Sequence, residues 1–138
     1  MASVADFNAG KKLNLEQEAF LNYNHMDEEL IDYIFKNYQH LMTLNEAGAY
    51  RNFILDEKLQ VYKNTTEKYK KHLEKARLKN AEVLRLMDNG FNNFKIKFAN
   101  RILVEYAEKV FINTCSRCGK LARTPLAKQC PHCYFSWH

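Results

Sequence analysis

Four cysteines, Cys115, Cys118, Cys130 and Cys133, stand in two C-x-x-C pairs, and the 138-residue chain has no others. A C-x-x-C brings two sulfurs close enough to grip one ion, and two such pairs supply four thiolates for one closed tetrahedral site. Four thiolates without an open position suit a structural zinc and leave no place for a substrate. One structural Zn2+ is therefore the expected cofactor, with His132 and His138 as lesser donors nearby. The competing uses of cysteine fit less well. Disulfides need an oxidising compartment, a redox C-x-x-C needs one pair in a βαβ context, and iron–sulfur clusters use other spacings.

The residues around the cysteines agree with this reading. Gly119 follows the first pair, where a knuckle turns sharply and a residue without Cβ relieves the turn. Pro131 sits inside the second pair and presets φ for a tight turn. Lys120 to Gln129 is long enough for a short hairpin, with Thr124-Pro125 as its turn. These four cysteines and Gly119 resemble a zinc ribbon. Tyr134 departs from that pattern, because it follows the second pair where such knuckles often carry another glycine. The segments Gly119–Pro125, Cys130–Cys133 and Trp137-His138 are similar to the ending of some small uncharacterised bacterial proteins. That similarity lies within the last 24 residues, about a sixth of the chain, and implies a lineage without a function.

The rest of the chain reads as helix. Four glycines and two prolines are few for a turn-rich β fold, and 46% hydrophobic residues argue for a folded core. Residues 1–12 have no periodicity and read as a loose arm, followed by a short helix from about Asn14. Asp27 is placed to cap a helix whose apolar positions, Leu30, Ile31, Ile34, Phe35, Tyr38, Leu41 and Met42, recur at helical period. Thr43-Leu-Asn-Glu46 matches a capping box and opens a segment over 44–62. Thr66 to Met87 is charged and helix-favouring, with Gly90 as a left-handed cap after it. A last helix is predicted from about Phe91 to Ile112, leaving only Asn113 and Thr114 before the first knuckle. The predicted class is mainly α, a bundle of four or five helices with a small C-terminal zinc ribbon packed against it. The domain division that follows is an arm over 1–12, a helical bundle over 13–112 and a ribbon over 113–138.

Enzyme signatures are missing: there is no H-E-x-x-H, G-x-S-x-G or P-loop, and every cysteine is already assigned to metal. The expectation is a protein that is not an enzyme and takes no small-molecule substrate. No apolar run approaches a membrane span and no secretion signal opens the sequence, so a soluble cytoplasmic protein without a membrane partner is expected.

Charge separates the two remaining functions. The first fifty residues carry −5, residues 51–114 carry +6 and residues 115–138 carry +4. An electrically polar, aromatic-rich molecule suits a charged protein partner, so the leading expectation is a zinc-binding protein of inhibitor, adaptor or toxin-neutralising immunity type. The alternative is a nucleic-acid-binding protein. It would use Lys120, Arg123 and Lys128 of the ribbon with the basic stretch 68–79, which includes Lys71 and Lys75. Glutamates Glu67 and Glu74 interleave with that stretch, and a tetrathiolate zinc adds about −2 to the ribbon, which favours the protein partner.

Overall fold

A computed structural model describes residues 27–62 and 64–137. The arm expected over 1–12 and the helix expected from about Asn14 lie outside the described residues. Within them the chain is mainly helical, with five α-helices and, near the cysteines, two isolated antiparallel bridges instead of strands. This is the class expected from the sequence. No helix among the described residues is long and apolar enough to cross a membrane.

The helix starts are set by side-chain caps. Helix α1 is Glu28–Asn37, and the Asp27 carboxylate accepts from the Glu29 N–H at 3.1 Å. Glu28 and Glu29 place negative charge at its positive end. A short 3-10 turn, Gln39–Leu41, follows it. Helix α2, Leu44–Val61, opens on Thr43, whose Oγ1 accepts from the Glu46 N–H at 3.1 Å. Helix α3, Glu67–Lys75, is capped by Thr66, and α4, Ala81–Arg85, by Asn80. Helix α5 is Gly90–Glu105, and its first residue has φ +87°, which only glycine adopts freely.

Two predicted helices are shorter than their sequences suggest. The stretch Thr66 to Met87 breaks over 76–80, between α3 and α4. The carboxamide of Asn52 supplies the reason. It accepts from the Leu78 N–H and donates to the Leu78 carbonyl, both at 2.8 Å, replacing the bonds a continuous helix would have made. The last helix stops at Glu105, seven residues before the expected end at Ile112. Tyr106–Lys109 turn, and Val110–Asn113 follow without regular secondary structure, with Val110 and Ile112 buried. The connection to the first knuckle is therefore longer than the two residues expected.

By contacts the chain divides into two compact units. One comprises the described residues up to Leu41 together with those from Lys95 onward; the other is Met42–Phe94. In the first, Ile34 and Ile102 are fully buried, and Phe35 meets Phe98 edge to face at 5.8 Å. In the second, Phe53 and Phe91 stack at 4.0 Å with rings nearly parallel, and Val83 and Leu73 are buried. Gly48 in the middle of α2 permits the close approach of the α3–α4 segment. A Cβ there would fall 2.9 Å from Leu78 Cδ1 and 3.3 Å from Val83 Cγ2.

Helix α1 holds the segment after α5 through two tyrosines. Tyr38 Oη accepts from the Phe111 N–H at 2.8 Å, and Tyr33 Oη accepts from the Asn113 N–H at 3.2 Å. Both hydroxyls donate to the Phe111 carbonyl. These bonds satisfy a buried, non-helical backbone that would otherwise be left unpaired. Asn37 adds a donor to the Arg123 carbonyl at 3.2 Å. The ribbon is thus packed against helix α1, as expected, although by side-chain hydrogen bonds and not by a short junction.

Candidate metal centre

The two knuckles are built to one plan. In the first, the Gly119 N–H donates to the Cys115 carbonyl at 2.8 Å, and the Cys115 N–H donates to the Lys120 carbonyl at 2.9 Å. In the second, the Tyr134 N–H donates to the Cys130 carbonyl at 3.1 Å, and the Cys130 N–H donates to the Phe135 carbonyl at 2.8 Å. The flanks repeat as well, Ala122 N–H to Asn113 carbonyl matching Trp137 N–H to Lys128 carbonyl, each at 2.8 Å. Antiparallel bridges Thr114↔Leu121 and Gln129↔Ser136 close the two loops at equivalent places. The hairpin expected over Lys120–Gln129 is replaced by these two separate loops. The turn expected at Thr124-Pro125 does form, with the Ala127 N–H on the Thr124 carbonyl at 3.2 Å.

The plan brings all four sulfurs to one point. They lie within 4.8 Å of one another, with Cys115–Cys133 at 3.6 Å and Cys118–Cys130 at 3.5 Å. Those separations exclude a disulfide, whose sulfurs sit about 2.05 Å apart. They approach the edge of about 3.8 Å that a tetrahedron has when its metal–sulfur bonds are about 2.3 Å. The four cysteines can therefore hold a single metal ion. Cys115 and Cys130 are buried, Cys133 is half-buried and Cys118 is exposed.

Backbone amides prepare the first cysteine of each pair for ionisation. The Arg117 and Cys118 N–H groups point at Cys115 Sγ at 3.4 and 3.5 Å, and those of His132 and Cys133 point at Cys130 Sγ at 3.4 and 3.5 Å. Burial opposes a charge on Cys130, yet these amides and the thiols of Cys118 and Cys133 outweigh it and bring the group down to about 6. Cys115 is lowered in the same way against its own burial. Cys118 moves oppositely. The Lys120 N–H favours its thiolate, but burial and its bonds to the neighbouring sulfurs push it up to about 11. Four adjacent sulfurs cannot all ionise beside one another alone, and a bound cation removes that conflict.

Tyr134 occupies the position of Gly119. Gly119 has φ +76°, and Tyr134 has φ +63°, the one positive value at a non-glycine among the described residues. An L side chain in this region costs on the order of 1 kcal/mol.

The other residues singled out in the sequence are dispersed. Lys120, Arg123 and Lys128 are exposed on the ribbon, whereas Lys71 and Lys75 are exposed on α3 in the other unit. Glu67 pairs with Lys70 at 3.4 Å. Sequence reasoning missed Tyr33, Asn37 and Asn113. The buried Asn113 carboxamide donates to the Thr124 and Ala127 carbonyls at 3.0 and 2.9 Å and so sets the segment between the knuckles. The available signal was Tyr33, which falls on the buried side of α1 next to Ile34. Compared with protein-family models, curated proteins and solved structures, the chain matches none of them.

Proposed function

We propose that this chain is a non-enzymatic cytoplasmic protein in which one structural zinc, held by Cys115, Cys118, Cys130 and Cys133, staples the C-terminal ribbon, and which acts by binding another protein. Zinc is the ion that four thiolates in a closed tetrahedral set suit best, and such a set leaves no position for a substrate. The observation that carries the partner reading is the exposed apolar side of α2. Ile54 and Val61 are seven residues apart and so share one helix face, and they are 36% and 73% exposed, with Tyr62 49% exposed at the helix end. They border a shallow groove that also presents Glu57 and Lys58. An apolar strip rimmed by charge is the usual make-up of a protein contact surface.

The test compares the natural protein with Val61→Glu, both recovered from native cells at moderate salt with zinc content and melting checked. The expected result is one protein in near-stoichiometric amount with the natural chain and its loss from the variant. Retention of the same protein by the variant, or recovery of nucleic acid alone, overturns the reading.

A further inference from the structure

The knuckles share a backbone plan, but their side chains face different tasks. In the first copy Leu121 and Ala122 are buried. Their counterparts in the second are Ser136, which is exposed, and Trp137, which is half-buried and stacks on Phe135 at 6.4 Å. Tyr134 goes further. It occupies a backbone conformation that favours glycine, and the residue is 73% exposed. Its side chain makes no hydrogen bond or ring contact with other described residues; only its backbone is engaged, the N–H by the Cys130 carbonyl and the carbonyl by Gln129 Nε2, each at 3.1 Å. Packing among the described residues therefore gives no reason for an aromatic side chain at this position.

Charge indicates what the ring meets. The sequence has no acidic side chain after Glu108. Arg117, Lys120, Arg123 and Lys128 are all exposed, and the Lys128 carbonyl is bonded to the Trp137 N–H, beside the aromatic pair. Even with the −2 of a tetrathiolate zinc, the ribbon keeps a positive excess. Cations without intervening acids, in the same small module as an exposed aromatic side chain, suit a polyanion with unstacked rings.

We propose that the second knuckle is a contact site for single-stranded nucleic acid, with Tyr134 stacking on an unpaired base and Lys128, Arg117 and Lys120 meeting phosphates. Base pairs in a duplex keep their faces covered, so the single strand is preferred. This site lies outside the α2 surface and does not depend on the protein-partner reading.

The test uses the full-length zinc-loaded protein and fluorescein-labelled oligo-dT, oligo-rU and a DNA duplex of equal length. Anisotropy is read at low and near-physiological salt, and the single tryptophan, Trp137, gives a second signal. Both single strands are expected to bind tighter than the duplex and to quench Trp137. Tyr134→Gly is expected to weaken binding roughly ten-fold, as loss of one stacked base does. Its melting temperature should be unchanged or higher, because glycine removes the backbone strain. Tyr134→Phe should retain most of the affinity. Equal affinity for the duplex, binding by Tyr134→Gly equal to that of the natural chain, loss of all binding at physiological salt, or equal competition by polyglutamate overturns the proposal.

Discussion

Tyr33 on α1 and Asn113 beside the first cysteine are 80 residues apart in sequence, yet the Asn113 N–H donates to the Tyr33 hydroxyl at 3.2 Å. The same hydroxyl donates to the Phe111 carbonyl. One phenol thus serves both the donor and the acceptor side of a backbone that has left the helix.

Tyr33→Phe keeps the ring and removes the hydroxyl. The Phe111 carbonyl retains Tyr38, but the Asn113 N–H loses its partner in a buried setting, which costs about 1–3 kcal/mol. Urea unfolding should show that loss, and the metal content expected from the proposed zinc site should be unchanged from that of the natural chain. An unchanged midpoint would mean that water or a shift of the segment replaces the phenol.

The same tyrosines make stability depend on alkali. Burial, reinforced by nearby Tyr38 and opposed by the Asn113 N–H, raises Tyr33 from its ordinary 10.0 to about 12. Tyr38 is raised as well by burial, against the Phe111 N–H. Between pH 10 and 12 the unfolded chain loses protons that the folded chain keeps, so stability is full below pH 10 and falls as the pH rises through that window. Melting temperatures over pH 9–12 should decline, and less steeply in Tyr33→Phe.

Cys118→Ser removes one of the four sulfurs. Metal binding and folding are coupled in such a module, so zinc content should fall and the ribbon should open. Elemental analysis reads the first effect, and amide exchange at the Thr114–Leu121 bridge reads the second. Full zinc occupancy with unchanged melting would show that the sulfur is dispensable.

Asn52→Ala tests the break between α3 and α4. It removes both bonds to Leu78 and leaves a space where the carboxamide was buried. A loss of about 1–3 kcal/mol is expected from the unpaired Leu78 groups. Asn52→Asp keeps the acceptor for the Leu78 N–H and loses the donor, so its loss should be smaller unless the buried charge dominates. Thermal melts of the two variants separate these contributions.

What the sequence disclosed and what it hid follow one division. The caps at Asp27 and Thr43, the turn at Gly119 and the joining of the four cysteines depend on residues within a few positions or on a spacing suited to one metal ion, and all were readable. The break at 76–80 depends on Asn52, 26 residues away, and the early end of α5 depends on Tyr33 and Tyr38, more than 70 residues away. Local propensity favours helix at both places. Only a distant side chain offering alternative hydrogen bonds overturns it. Tyr134 is an intermediate case: its departure from glycine was visible in the letters, but the strain and the open ring required coordinates.

The phenol bridge also bears on the order in which contacts are expected to form as the chain folds. The cysteine sulfurs that meet are 12 and 18 residues apart, whereas Tyr33 and Asn113 close a span of 80. Short spans close at a smaller entropic cost, and contacts of low sequence separation form sooner. With the proposed zinc bound, the ribbon would gather early at low entropic cost, and helix α1 would close on it later. Met42–Phe94, lying in sequence between the two, forms its own contacts within that span. Starving a cell of zinc during synthesis would then leave α1 with no finished surface to close on.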